Sequence, residues 1–208
     1  MYNPWQEIKL DIYENHMKSE AVFQLQTLNQ ITKEQCENYG HEIVGILGVA
    51  GGNGLEGIDL HTTKKIYGFD INKDYLDVCQ TRYSYMGSTL ELVQCDISDN
   101  SFTLPKTDLL IANLIIEYVG DASFVSFINQ NRNHVGVVSC TIQNNQADGF
   151  VSQSDYISAF DPLLTISHNI DAKKIIKQFS NEKFRCLKTK EYILPNGKKF
   201  IRLDFKKS

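Results

Sequence analysis

A glycine-rich segment follows directly on a short apolar run that begins at Ile43, and it reads Gly48-Val49-Ala50-Gly51-Gly52-Asn53-Gly54. Glycines let the backbone turn sharply and allow a ligand to approach it closely. An acid, Asp70, lies at the end of the next apolar run. A carboxylate in that place can accept hydrogen bonds from both hydroxyls of a ribose. The combination predicts a site for a nucleoside-bearing cofactor.

A nicotinamide is one cofactor that would suit this segment. Gly48, Gly52 and Gly54 fit the G-x3-G-x-G spacing of short-chain dehydrogenases. Those enzymes also use a Tyr-x3-Lys pair, in which the lysine lowers the pKa of the tyrosine. None of the ten tyrosines here has a lysine four residues later, and Phe160 takes that place after Tyr156. The nicotinamide hypothesis therefore stays only as an alternative.

Four motifs in order resemble those of the class I S-adenosylmethionine-dependent methyltransferases of the small-molecule type. They cover residues 46–54, 67–72, 93–97 and 108–118, within a resemblance that extends over residues 40–206. The first motif departs from the family pattern at two positions. Gly48 stands where the family usually has an acid, and Ala50 replaces the first glycine, whereas Gly52 and Gly54 match.

The resemblance implies S-adenosyl-L-methionine as the cofactor and assigns a contact to ten residues. Asp70 would bind the ribose, Asp96 would accept a hydrogen bond from the adenine amino group, and Ile97 would pack on the ring. Asn113 would lie beside the transferring methyl group. The full predicted set is Gly48, Ala50, Gly52, Asn53, Gly54, Asp70, Ile71, Asp96, Ile97 and Asn113.

Three further residues could act on the methyl acceptor. Methyl transfer from a sulfonium depends mainly on alignment of donor and acceptor, and a general base is needed only if the acceptor must lose a proton. Glu117 and Tyr118 follow the fourth strand, and His16 lies in the N-terminal helical region. Glu117 could orient or deprotonate the acceptor, or it could be a solvated loop acid or a charge at a helix N-terminus. His16 could be a base near neutral pH, or it could be a surface or capping histidine.

The alternation of apolar runs with helical patterns positions these residues. Strands are predicted over residues 43–49, 65–70, 90–94, 108–112, 135–142, 184–194 and 199–205. Helices are predicted over residues 4–39 in two pieces, and over 55–60, 74–85, 122–131 and 172–179. Such alternation is typical of a parallel sheet covered on both faces. Asn196-Gly197 predicts a closing antiparallel hairpin with a two-residue type I′ turn.

We therefore predict a Rossmann-like α/β fold with a seven-stranded, mainly parallel sheet. Residues 1–39 would form an N-terminal helical cap, and residues 40–208 the cofactor-binding domain, as one compact unit. The leading function is methyl transfer to a small molecule. The rivals are a nicotinamide-dependent reductase and a non-catalytic accessory protein that binds the cofactor.

The amino-acid composition limits the kinds of partner that the protein is expected to bind. The chain has 208 residues and a net charge of −4, which gives no basic surface for nucleic acid. Its five cysteines form no CxxC pair, so neither a metal site nor a disulfide framework is predicted. Neither a secretory leader nor a membrane span is predicted. We expect a cytoplasmic protein, and the oligomeric state cannot be deduced.

Overall fold

Seven strands form one sheet in the computed structural model, which describes residues 3–99, 102–144 and 149–208. The order is β3-β2-β1-β4-β5-β7-β6. The strands are β1 (Ile43–Leu47), β2 (Lys65–Asp70), β3 (Leu90–Gln94), β4 (Thr107–Asn113), β5 (Val135–Asn144), β6 (Phe184–Ile193) and β7 (Lys199–Lys207). β1 to β5 pair in parallel, whereas β7 runs antiparallel to both β5 and β6. The predicted fold class and closing hairpin are confirmed.

Within the described residues, six α-helices and four 3-10 segments accompany the sheet. The helices are α1 (Leu10–Lys18), α2 (Gln24–Asn38), α3 (Lys73–Arg82), α4 (Ile116–Val119), α5 (Asp121–Gln130) and α6 (Ala172–Asn181). The 3-10 segments cover Pro4–Gln6, Leu55–Gly57, Ser84–Thr89 and Ile157–Thr165. No helix in the described ranges is long and apolar enough to cross a membrane.

Apolar packing on both sides fixes the central strands. β1 and β4 are near-continuous apolar runs, as strands covered on both faces are, and Val44 and Leu109 are fully buried. Phe179 of α6 stacks on Phe205 of β7 with ring centroids 4.0 Å apart. A separate cluster joins Leu76 of α3 to β1, β2 and β4. The carboxyl ends of the parallel strands are therefore held in place by both layers.

Two local predictions were wrong, and the first concerns residues 55–60. Only Leu55–Gly57 forms a 3-10 turn, and Ile58 returns to an extended conformation. Ile58 is buried in the same apolar cluster as Leu55. Packing of Ile58 in this cluster therefore favours an extended backbone over a further helical turn. The glycine-rich segment is thus not followed by the α-helix N-terminus that the sequence predicted.

The second wrong prediction concerns the turn of the closing hairpin. A type I′ turn needs positive φ at both central residues, but of the pair Asn196-Gly197 only Gly197 has it, at φ +82. Pro195 has no N–H to donate across a two-residue hairpin. The strands therefore close one residue earlier, where the Leu194 N–H donates to the Lys198 carbonyl at 2.8 Å. The loop has three residues.

Candidate functional site

A cavity lies at the carboxyl ends of β1 to β4. Parallel strands end at the same edge of a sheet, and ligands of open α/β folds bind in the crevice outside that edge. The loops that follow these strands contribute Gly48, Ala50, Asp70, Ile71, Asp96, Ile97 and Asn113 to its wall. Seven of the ten predicted cofactor residues are thus brought together, although the sequence separates them widely.

Asp70 is held in a fixed orientation at the end of β2. The Ala50 N–H donates to its Oδ2 at 2.8 Å, and the Asn72 N–H donates to its Oδ1 at 2.9 Å. Burial raises the pKa of Asp70, whereas these N–H groups act in the opposite direction. Ala50 adopts a positive φ of +48, which explains why a glycine is common at this point of such turns.

The other three turn residues lie behind the cavity wall. A Cβ built on Gly52 would lie 2.3 Å from Cε2 of Tyr83. The Asn53 amide donates to the Leu25 carbonyl at 3.3 Å, and Gly54 abuts Thr32. These residues shape the turn and connect it to α2 and α3. The structure does not bring them to the cavity.

The N-terminal segment is tied over the cavity. The Asn72 amide donates to the Trp5 carbonyl at 2.8 Å, while its Oδ1 caps α3. Glu14 of α1 forms an ion pair with Arg82 of α3, with Nη2 and Oε2 2.8 Å apart. This ion pair lies against Gly51, because a Cβ on that glycine would meet both partners.

Aromatic rings form much of the cavity wall. Trp5 meets Tyr13 and Tyr118 edge to face, with ring centroids 5.5 and 4.9 Å apart. Tyr13 stacks on Tyr75, and burial, with the charges of Asp70 and Glu14, raises the pKa of Tyr13. Trp5 itself lines the cavity.

Glu117 lies in α4 and is almost fully buried, at 2% exposure. Its Oε1 accepts a hydrogen bond from the Gln143 N–H at 2.6 Å. Its Oε2 is buried and has no partner among the described residues. Burial raises the pKa of Glu117 to about 7, despite the Gln143 N–H. The alternative of a solvated loop acid was therefore wrong, whereas the alternative of an acid at a helix N-terminus agrees with its place in the first turn of α4. Glu117 also contributes to the cavity wall.

His16 is also buried, at 3% exposure, so the surface-histidine alternative was wrong. Its Nδ1 lies 2.7 Å from the Ser154 hydroxyl, and its ring packs on Phe160. Burial lowers the pKa of His16 to about 4, and the charge of Lys198 acts in the same direction. The imidazole is consequently neutral at pH 7 and a weak base.

Tyr118 stands beside Glu117 in the same wall. Its ring lies edge to face with Phe150, at a centroid distance of 5.7 Å. Burial raises the pKa of Tyr118, and the charges of Glu117 and Tyr13 add to the effect. The phenol therefore stays protonated at neutral pH.

The side chain of Asn113 is engaged by α2. Its Nδ2 donates to Gln35 Oε1 at 3.0 Å, and Gln35 Nε2 donates back to its Oδ1 at 2.9 Å. Asn113 lines the cavity, but its amide group ties α2 to the end of β4. Gln35 is fully buried, and no sequence pattern had singled it out.

Several further wall residues were missed by sequence reasoning. They are Tyr75, Gln24, Gln143, Phe150, Ser152 and Phe160. None of them belongs to a motif, and they come from α2, α3, the end of β5 and the segment after it. Only the folded arrangement brings them to one place. In the described part of the chain, no cluster of three His, Cys, Asp or Glu side chains is arranged to hold a metal ion.

The chain resembles a known family in its sequence and known structures in its fold. Residues 46–136 match a family model described as a methyltransferase domain. The magnesium protoporphyrin IX methyltransferase of Synechocystis PCC 6803 with bound SAH has a TM-score of 0.71 at 11% identity, covering 98% of this chain and 96% of that one. No curated protein matches the sequence.

Two other solved structures are similar over nearly their full lengths. The N-methyltransferase NodS of Bradyrhizobium japonicum WM9 has a TM-score of 0.68 at 12% identity, with 99% of each chain covered. An S-adenosylmethionine-dependent methyltransferase from Clostridium acetobutylicum ATCC 824 has a TM-score of 0.67 at 14% identity, covering 99% of this chain and 100% of that one. At such identities the likeness establishes the shared fold.

Proposed function

We infer that this chain, a member of the class I S-adenosylmethionine-dependent methyltransferases, transfers the methyl group to a small-molecule acceptor bound beside Glu117. One observation carries the proposal. A single continuous cavity extends from Gly48 and Asp70 at the strand ends to the buried carboxyl group of Glu117. It therefore offers room for a nucleoside at one end and a polar group of suitable pKa at the other.

The cofactor end fits S-adenosylmethionine in its chemistry. Asp70 would accept hydrogen bonds from the ribose hydroxyls, Asp96 would accept from the adenine amino group, and Ile97 would cover the ring. Ile71, Gly48 and Ala50 would line the rest, and Gly52, Asn53 and Gly54 would hold the turn. When bound, the sulfonium supplies an activated methyl group. The chain's main task is then to exclude water and align the acceptor.

Glu117 is the proposed proton acceptor. A general base works best when its pKa lies near the operating pH, and the pKa of Glu117 is about 7. His16 is a weaker candidate because its pKa is about 4. We propose that Tyr118 and His16 shape the acceptor site rather than move its proton. Residues 1–39 would act as a cap, since Trp5, Tyr13 and His16 all belong to the wall.

A small acceptor suits the charge of the molecule. The net charge is −4, whereas binding to a nucleic acid relies on cationic side chains that neutralise phosphates. The five cysteines are free thiols, which fits the cytoplasmic location we propose. The structurally similar proteins are named for different activities, so only the site itself can indicate the acceptor.

The two rival functions are distinguishable. A nicotinamide-dependent reductase is not favoured, because the matching family model describes a methyltransferase domain. A non-catalytic accessory protein would bind the cofactor without turnover. Turnover of labelled S-adenosylmethionine with an acceptor library separates that alternative from the proposed enzyme.

Calorimetric titration with S-adenosylmethionine, its demethylated product and NADPH tests the cofactor and its site. We expect the first two to bind and NADPH not to bind. Asp70→Asn should weaken binding roughly 10- to 100-fold, because a hydrogen bond to a charged group contributes about 1.5–3 kcal/mol. Asp77→Asn, an exposed acid of α3 paired with Lys73, is the matched control. Parental affinity in Asp70→Asn, with Tm values confirming both folds, would overturn the assignment.

A further inference from the structure

The part of the cavity beyond the cofactor residues has its own chemical character. We name it the acceptor end and define it by Trp5, His16, Glu117, Tyr118, Phe150 and Phe160, all of which line the cavity. Four of these six side chains are aromatic, and they include the Tyr118 phenol and the Trp5 indole, whose buried Nε1 has no partner among the described residues. One is a carboxyl group, and one is an imidazole that is neutral at pH 7. The acceptor end is therefore a mainly aromatic site with one acidic group.

The carboxyl group of Glu117 is only half satisfied by the protein. Oε1 accepts from the Gln143 N–H, whereas Oε2 is buried without a partner in the described part of the chain. A buried carboxylate oxygen without a donor is unfavourable. A ligand that brings an N–H donor, and above all a charged one, would remove that cost.

Cationic side chains are missing from the described cavity wall. Its charged groups are Asp70, Asp96 and Glu117, and no described lysine or arginine lines it. Lys198 is buried near His16, but its Nζ donates to the carbonyl oxygens of Gly149 and Phe150 at 2.7 and 3.4 Å. A carboxylate, phosphate or phenolate ligand would meet no cationic side chain among the described residues of the wall, and an ionised Glu117 would repel it.

The aromatic rings favour a cation by a second mechanism. The faces of tryptophan and tyrosine carry negative electrostatic potential and attract ammonium groups. Trp5 and Tyr118 are in direct edge-to-face contact, and Phe150 extends the same wall. Such rings also provide apolar area for the body of a ligand.

We propose that the acceptor is a primary or secondary amine with an apolar body, bound as an ammonium ion whose N–H group donates to Glu117. This proposal rests on the proposed function for the same site and adds the chemical class of its substrate. The ammonium group would satisfy the free Oε2, while the aromatic wall would hold the body.

The same contact would prepare the amine for methylation. An ammonium ion has no lone pair, so it must first pass a proton to the Glu117 carboxylate. The nitrogen lone pair then forms the C–N bond to the methyl carbon as the C–S bond breaks, and that electron pair stays on sulfur. The sulfonium charge disappears, and the product is an N-methylated ammonium ion. Because aliphatic amines have a pKa of about 10.4, a base with a pKa of about 7 is far better suited than an ordinary carboxylate.

Trp5 provides a direct assay because it is the one tryptophan in the sequence and lies in the acceptor end. Its fluorescence would be titrated in protein saturated with S-adenosylhomocysteine. The probes are matched triads of amine, alcohol and carboxylate that share a body: ethyl, benzyl, 2-phenylethyl and cyclohexylmethyl. At pH 8 we expect at least one amine to bind tenfold or more tightly than its alcohol, and the carboxylates to bind most weakly.

Glu117→Gln should abolish this preference, and Glu20→Gln, at an exposed acid, should keep it. The preference should also fall as the pH drops below about 7, as Glu117 becomes protonated. The proposal is overturned if no triad favours the amine, or if Glu117→Gln retains the preference. Binding of S-adenosylhomocysteine is measured first. If it binds and the amines do not, only the acceptor class fails, whereas its failure to bind would sink the proposed function.

Discussion

Replacing Glu117 by glutamine is expected to stabilise the protein at alkaline pH. Burial raises the pKa of this carboxyl group from 4.5 to about 7. A pKa that is higher in the folded state gives stability that is fully present below pH 4.5 and is lost as the pH rises through 7. At about 1.4 kcal/mol per pH unit, the parent loses roughly 3 kcal/mol of unfolding free energy over that interval. Glutamine does not ionise and avoids this loss.

The assay is urea unfolding of the parent and Glu117→Gln at pH values from 4.5 to 8.5. The difference in unfolding free energy between the two proteins cancels the titration of every other group that the substitution leaves unperturbed. We expect this difference to shift in favour of glutamine by about 3 kcal/mol between pH 4.5 and pH 8.5. Glu20→Gln serves as the control for an exposed acid and should show no such dependence. A flat difference for Glu117→Gln would refute the reasoning, because it would mean that the carboxyl group titrates alike in both states.

Two further predictions concern glycines with positive φ. Gly52→Ala should destabilise the fold by about 1–2 kcal/mol from backbone strain and by about 1–3 kcal/mol from overpacking against Tyr83. Gly57→Ala is the control, because its new Cβ meets only an ordinary contact and lacks the overpacking cost. Equal urea midpoints for the two variants would contradict this prediction. Gly197→Val should cost roughly 1–2 kcal/mol by strain alone, since open space surrounds its Cβ position, and a thermal midpoint equal to the parent's would show that the turn tolerates the side chain.

The parallel sheet was predictable because its strands are marked by local pattern. β1 and β4 are short apolar runs between polar or glycine-rich segments, and each strand end carries a motif residue such as Asp70. The strand ends had to meet at one edge once the topology was parallel. By contrast, the hairpin turn was assigned from Asn196-Gly197 alone. The missing N–H of Pro195 shifted the closing pair to Leu194 and Lys198.

The acceptor end depends on contacts that no local pattern encodes. Trp5 lies far in sequence from Phe150 and Phe160, and none of the three has a neighbour in sequence that predicts its place in the wall. Even the position of Glu117 after β4 does not reveal whether its carboxyl group is solvated. Its raised pKa is a consequence of the segments that fold over it.

The burial of Glu117 underlies both its proposed function and the loss of stability that its ionisation causes. At neutral pH an ionised Glu117 with one unpartnered oxygen weakens the fold, and glutamine at the same position would relieve that cost. The same features would be useful to a base that must take a proton from an ammonium ion. Binding of the cation should therefore recover part of the stability that ionisation of Glu117 removes. A matching amine should accordingly raise the Tm of the parent at pH 8 far more than that of Glu117→Gln, because only the parent has a buried carboxylate to neutralise.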